Sequence, residues 1–265
     1  MRPETSVRAW QPPVAGVVEV LHARFTDHAY PSHTHDTWTL LIVDTGVVRY
    51  GLDRHEHGAA RSLVTLLPPH VPHDGRSVAP SGFRKRVVYL EPDALDLDRI
   101  GAAVDHPGWV DEPLRDGLHR LHDALRHPGD AFEAESRLAV VTDRLRRHLS
   151  AAEVEPPEVR DRSVARRLRD LLDDRLTEGV TLEDAATHLG VTPSHLIRAF
   201  GAEYGIPPHQ YLVGRRLDRA RRMLLAGLPP AQTATEVGFY DQAHLTRQFR
   251  RFLGTTPAAY ARSAG

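Results

Sequence analysis

Through the first hundred residues, apolar and polar side chains alternate in short runs separated by glycine and proline. A period of two predicts β-strands. The runs are 16–25 (GVVEVLHARF), 37–43 (TWTLLIV), 47–52 (VVRYGL), 62–67 (SLVTLL) and 83–90 (FRKRVVYL). Asp44-Thr45-Gly46 turns the second into the third as a hairpin, and Pro68-Pro69 ends the fourth. Short strands at this spacing predict a sandwich or a barrel. From about residue 111 the period lengthens. Leu114, Leu118, Leu121 and Leu125 recur at helical spacing, Pro128-Gly129 breaks the run, and Asp130 can cap the next helix. That helix carries Phe132, Leu138, Val141, Leu145 and Leu149. The hairpin has one apolar face per helix, and two uses are open: packing on the strands, or pairing two subunits.

The remainder reads as helices punctuated by caps. Ser163 is the expected cap of a helix through Leu176, closed by Gly179. Thr181 starts the next, with Asp184 three residues on, and Gly190 ends it. Thr192-Pro193 then supplies an N-cap and a first-position proline for a helix that Gly205 stops. A short helix, a glycine turn and a capped second helix form a helix-turn-helix pattern, with Ala185, Ala186, Leu189, Leu196 and Phe200 facing inward. The pattern recurs. Ala231–Val237 is a second short helix, Gly238-Phe239 the turn, and Asp241 the cap of a helix through Phe252. Leu245 and Phe249 repeat the spacing of Leu196 and Phe200, and Arg247 follows Leu245 as Arg198 follows Leu196. Between the motifs runs an arginine-rich helix from about Pro208 to Ala226, roughly 28 Å long at 1.5 Å per residue. Successive major grooves on one face of B-DNA lie about 34 Å apart, a span such a rod suits.

Residues 163–262 resemble the DNA-binding domain of AraC/XylS-type transcription regulators. GVTPSHLIRAFGAEYGIPPHQYL resembles the family's first motif and the start of its linker helix, and VGFYDQAHLTRQFRRFLGTTPAAY its closing signature. The resemblance implies recognition helices beginning near Thr192 and Asp241. It implies a DNA-binding set of Thr192, Ser194, His195, Ile197 and Arg198 in the first, and Asp241, Gln242, Ala243 and Arg247 in the second. Arginine and glutamine carry the hydrogen-bonding geometry that reads base edges, while Ile197 and Ala243 offer apolar contact only. Pro230 and Thr233 depart from the isoleucines usual in the family and weaken two core anchors.

PSHTHDTWTLLIVDTGVVRY and TLLPPHVPHDG resemble the cupin-like effector barrel that precedes this DNA-binding domain. The fold class implied is α+β: a cupin-like β-barrel with a helical hairpin, then an all-α tandem helix-turn-helix domain. His33 and His35, two apart, share one face of a strand. With Trp38 and His73 they are the candidate effector-binding residues. Cupin enzymes place such a histidine pair, a glutamate and a later histidine around a metal. His73 or His70 supplies the later ligand here, but Trp38 and Thr39 stand where the glutamate belongs. His33, His35 and His73 alone still form a chemically reasonable Zn²⁺ or Fe²⁺ set. The alternative function is therefore a cupin-type metal-dependent enzyme or metal sensor; the favoured one is an organic effector hydrogen-bonded by these imidazoles, with no cofactor. Trp10 is a candidate lid contact. Arg84 and Arg86 share a strand face that either meets an anionic effector or is solvated. His55, His57, His119, His122 and His148 read as solvated.

Composition narrows this further. The 265 residues contain no cysteine, which excludes disulfides, thiolate metal sites and cysteine nucleophiles. No apolar run spans a bilayer and the N-terminus carries no secretory h-region, so the expected compartment is the cytoplasm. No phosphate loop, serine elbow or paired-carboxylate motif is visible. Net charge is −1, yet residues 160–265 hold 16 arginines against 11 acidic residues, leaving the excess of acid in the first part. A basic segment on an acidic body suits a polyanion partner. The expected organisation is an effector barrel over 1–105, a helical hairpin over 106–152 with a dimerisation option, a linker over 153–162 and the DNA-binding domain over 163–265. The expected partners are operator DNA, a small-molecule effector, RNA polymerase and a second copy of the chain.

Overall fold

The computed structural model describes residues 5–26, 29–53, 55–78, 81–150, 161–253 and 255–262. The expected linker lies, through residue 160, outside the described residues. The chain divides into two compact units, one of residues 1–126 and 141–154, the other of 127–140 and 155–265.

The first unit is built on strands β1 (Ser6–Trp10), β2 (Val17–Phe25), β3 (Ala29–His33), β4 (Trp38–Thr45), β5 (Val48–Leu52), β6 (His55–Ala59), β7 (Val64–Leu67), β8 (His73–Ser77), β9 (Phe83–Leu90) and β10 (Gly108–Trp109). They form a six-stranded sheet, β1-β2-β9-β4-β7-β10, and a four-stranded sheet, β3-β8-β5-β6. Among the described residues no ladder joins the two, so the expected closed barrel is an open two-sheet sandwich. Its interior is the alternation read from the sequence: Ala23, Phe25, Leu41, Val43, Phe83 and Val87 of the large sheet meet Val48, Tyr50, Leu52 and Ala59 of the small one. The strands not anticipated are β1, β3, β6, β8 and β10; each has five residues or fewer, and β1, β3 and β6 are mostly exposed, so too few apolar positions recur to show the period.

The large sheet's other face is also buried, through Val20, Leu40, Ile42, Leu66, Val88 and Leu90. After the short α1 (Ile100–Asp105), α2 (Glu112–Ala124) lies against that face, with Arg115 donating to the carbonyls of Val43 at 3.0 Å and Leu63 at 3.3 Å. Asp111 caps α2 at the Leu114 N–H. Its other oxygen takes Arg144 and His148, at 2.6 and 2.7 Å, from the later part of α3 (Ala131–Leu149). Leu114, Leu118 and Leu121 of the apolar face of α2 are buried.

The second unit contains residues 131–140 of α3, then α4 (Arg162–Asp174), α5 (Leu182–Leu189), α6 (Pro193–Tyr204), α7 (Pro208–Leu225), α8 (Pro230–Val237), α9 (Gln242–Leu253) and α10 (Pro257–Arg262). Asp161, not Ser163, caps α4, accepting from the Val164 N–H at 3.0 Å. Thr181, Thr192 and Asp241 cap α5, α6 and α9 as their positions predict. Gly190 and Gly238 make the two motif turns at φ 69° and 89°, left-handed values that a side chain disfavours. Each motif has its own core. One gathers Val164, Leu168, Ala185, Leu189, Leu196 and Phe200; the other gathers Leu217, Leu224, Ala234, Val237, Leu245 and Phe249. Thr233 is fully buried in the second motif, where its hydroxyl reaches the Leu228 carbonyl at 3.5 Å. No described helix is long and apolar enough to cross a membrane.

Candidate functional site

α6 and α9 each present a polar stripe opposite their buried anchors. On α6, Thr192 is exposed and Ser194, His195 and Arg198 are half-buried. Thr192 is engaged as the cap, and His195 Nε2 lies 3.4 Å from Asp161. Ile197 is a correction: it is 9% exposed and belongs to the first core, because it lies one residue from the anchor Leu196 on the inward side of the helix. On α9, Asp241, Gln242 and Ala243 are exposed and Arg247 is half-buried. Thr246 and Arg250 share that outward stripe and were not singled out from the sequence. The i, i+3/i+4 spacing from Gln242 and Ala243 is the signal that finds them.

The linker helix uses its arginines internally. Arg215 donates to Asp173 at 2.9 Å and Arg216 to the Leu176 carbonyl at 2.8 Å. Arg221 reaches the Tyr260 hydroxyl at 3.1 Å. A carboxylate pair from residues 127–140 works on α9. Asp130, expected as a cap, instead meets His244 at 2.9 Å, Gln248 at 3.1 Å and Arg247 at 3.2 Å. Burial alone would raise the Asp130 pKa, but His244, Arg247 and Gln248 together hold it below the usual carboxylate range. Gly129 makes the approach feasible, since a Cβ there would strike His244 and Tyr240. Glu133 takes Arg251 at 3.2 Å and also pairs with Arg137.

In the sandwich, β3 pairs with β8 so that His33 stands opposite His73, and the loop into β4 adds His35. Their ring centroids are 4.6–5.1 Å apart, and one ligand atom from each lies within 4.8 Å of the others. They border a cavity of about 110 Å³ that Tyr30, Thr39, Tyr50, Lys85 and Tyr89 also line. Burial, then the neighbouring His73 and His33, lower the His35 pKa to about 4, and burial chiefly lowers that of His73. Three converging imidazoles are a set that can hold a metal or hydrogen-bond an organic molecule. A larger surface depression of about 230 Å³ holds Arg49, Glu56 and Arg76. There Glu56 pairs with Arg49 at 3.0 Å and Arg76 at 3.4 Å, so the charges answer one another.

Several expectations fail for reasons of strand parity. Trp38 is fully buried and points away from the cavity that its neighbour Thr39 lines, donating to the Pro92 carbonyl at 3.1 Å. Trp10 donates to the Leu125 carbonyl at 2.8 Å and is no lid. Arg86 forks onto Asp44 and contacts His119, with Arg84 3.7 Å from the same carboxylate. The residue between them, Lys85, is the one turned inward. His70 is exposed beside Asp36, outside the histidine cluster. Nor are all the scattered histidines solvated. His122 is fully buried 3.3 Å from His22, His148 stacks on Trp109, and His57 stacks on Tyr50.

Comparison with known proteins places these units. Residues 15–141 match the AraC-like ligand binding domain family, and residues 185–263 match a helix-turn-helix domain family. The uncharacterized HTH-type transcriptional regulator YbfI of Bacillus subtilis is 25% identical over 225 residues, covering 82% of this chain and 81% of its own. The virulence regulon transcriptional activator VirF of Yersinia enterocolitica is 31% identical over 93 residues, 35% of this chain and 34% of VirF. Among solved structures, the C-terminal domain of AraT, a response regulator from Geobacillus stearothermophilus, is 28% identical with a TM-score of 0.36, covering 42% of this chain and 88% of that one.

Proposed function

The chain belongs to the AraC family of transcription regulators, with a ligand-binding domain and a helix-turn-helix DNA-binding domain, and on that premise we propose which residues read DNA and which pocket takes the effector. α6 and α9 enter adjacent major grooves. Ser194, His195 and Arg198 face the DNA from the first, and Gln242, Ala243, Thr246 and Arg247 from the second, with Thr192 and Asp241 setting the helix N-termini. The observation that carries this reading is the repetition. Each helix buries the same anchor pair, Leu196 with Phe200 and Leu245 with Phe249, and carries a half-buried arginine at the same offset.

The sandwich cavity bordered by His33, His35 and His73 takes a small organic effector. Those imidazoles also suit a zinc or iron ion, the basis of the enzyme or metal-sensor alternative. Family membership favours a regulator over an enzyme, and the ammonium of Lys85 in the same cavity disfavours a resident divalent cation. RNA polymerase and a second copy of the chain are the protein partners in this reading, and the cytoplasm its compartment.

The test is genomic footprinting with and without candidate metabolites, in wild type and in the His33→Ala/His35→Ala double variant. The double variant should keep its DNA sites and lose the metabolite response. A variant that responds as wild type does would move the effector site elsewhere. Stoichiometric zinc or iron in untagged protein, lost in the double variant, would restore the metal-centred reading.

A further inference from the structure

The interior face of β9 reads Phe83, Lys85, Val87, Tyr89, three packing residues and one cation. A lysine in that position leaves water for an apolar setting, which disfavours its charged form. Burial lowers its pKa to about 8, so the ammonium still predominates at neutral pH. Its described contact is the ring of Tyr30, 4.2 Å from Nζ. Among the described residues no ion pair or hydrogen bond joins Lys85 to a carboxylate. Asp74, at the cavity rim, is exposed and accepts from the Gly51 N–H at 2.6 Å.

Two further features face the same space. Thr39 is 4% exposed, and its hydroxyl has no hydrogen-bond partner among the described residues. The histidines are oriented from behind: His33 Nδ1 lies 2.7 Å from the Pro31 carbonyl and His73 Nδ1 3.1 Å from that of Val71. A carbonyl only accepts, so each Nδ1 carries the proton. In the neutral imidazole Nε2 is then a lone-pair acceptor. The cavity thus presents a cation with no carboxylate partner among the described residues, together with two imidazole acceptors.

Building on the effector-pocket reading, we infer that the cavity takes a small hydroxycarboxylate, its carboxylate against Lys85 and its hydroxyl donating to the imidazole Nε2 of His33 or His73. Thr39 supplies a further hydroxyl to the bound anion. A simple carboxylate leaves the imidazole acceptors unanswered, and a neutral hydroxy-amide leaves the ammonium unpaired. The volume, about 110 Å³, suits a molecule of a few carbons.

The experiment titrates the full chain, by calorimetry, with lactate, 2-hydroxybutyrate and 3-hydroxybutyrate, each beside its amide and the acid lacking the hydroxyl. At least one hydroxy acid should saturate the protein tenfold or more tighter than both analogues. Lys85→Met should erase the preference over the amide and keep the preference over the simple acid. His33→Phe and His73→Phe should do the reverse, with wild-type circular dichroism as the check on folding. The inference fails if amides bind as tightly as acids, if Lys85→Met leaves that preference intact, or if none of the hydroxy acids saturates the protein. It also fails if stoichiometric zinc or iron occupies the imidazoles. DNA retention in the same titrations separates the two layers. An amide that saturates the cavity and changes retention overturns the hydroxycarboxylate but keeps the sensor. A hydroxy acid that binds as expected without changing retention keeps the site and overturns the sensor.

Discussion

Buried charge is handled in opposite ways by the two units. In the helical unit, Asp130 has three partners on α9, and Glu133 has one on α9, Arg251, and one on its own helix, Arg137. In the sandwich, Lys85 is inside with an aromatic ring and no counter-ion among the described residues. A buried charge whose partners are all protein groups holds the fold together. One without them weakens the fold unless something else answers it, and the proposed effector's carboxylate would do so at Lys85. The difference also bears on Arg247: the arginine proposed to read a base is held by the Asp130 carboxylate at 3.2 Å, so in this reading DNA competes with Asp130 for it.

The sharpest way to break the comparison is to remove one charge from each unit. Asp130→Ala strands buried His244 and Gln248 and should destabilise the helical unit by about 3 kcal/mol, read by denaturant unfolding. A change below about 1 kcal/mol would make those contacts incidental. Arg198→Ala and Arg247→Ala should each weaken binding to a selected DNA site by about 1–3 kcal/mol, with the loss confined to one base position. A uniform loss across sequences would reassign the residue to the phosphate backbone. Lys85→Met should have the opposite sign to Asp130→Ala, stabilising the ligand-free chain by about 1–2 kcal/mol. The wild type should close part of that gap as pH rises from 8 toward 10. There the unfolded chain still binds the proton that folded Lys85 has released, and stability rises wherever the unfolded state binds more protons. A gap constant across that window would mean that folding leaves the lysine's pKa unshifted, its ammonium still in contact with water.

Protonation on the acid side gives a smaller, shared effect. Burial lowers the pKa values of His22, His35 and His209 to about 4. Between pH 6.5 and 4 the unfolded chain takes up protons that the folded chain refuses, so the melting temperature should fall as pH falls through that range. Replacing His209 by glutamine should flatten the slope. Smallest of all is Arg221→Ala, which loses the Tyr260 contact and should change DNA affinity little and alike on every sequence.

The helical unit was the more legible in sequence because its signals are local. A cap such as Thr192, a left-handed glycine such as Gly190 and an anchor pair four residues apart each act within one turn of chain. The sandwich was legible only where a strand is buried on one or both faces. β3 and β8, which bring His33 opposite His73, are only five residues long and rich in polar residues, and their pairing depends on contacts forty residues apart. Strand parity decided the remaining errors. One residue separates Trp38 from the cavity-lining Thr39, and Lys85 from the outward Arg84 and Arg86. Asp130 looked like a cap because capping is local. Its actual partners, more than a hundred residues away, leave no trace in the sequence around it.

Hydroxyl-radical footprinting of the full chain on a site enriched from random DNA tests most directly the claim that both recognition helices read DNA. The account predicts protection of two adjacent major-groove faces on one side of the duplex, together spanning about 17–20 base pairs, with Arg198→Ala weakening one and Arg247→Ala the other. Protection of a single groove, weakened by Arg198→Ala alone, would contradict it.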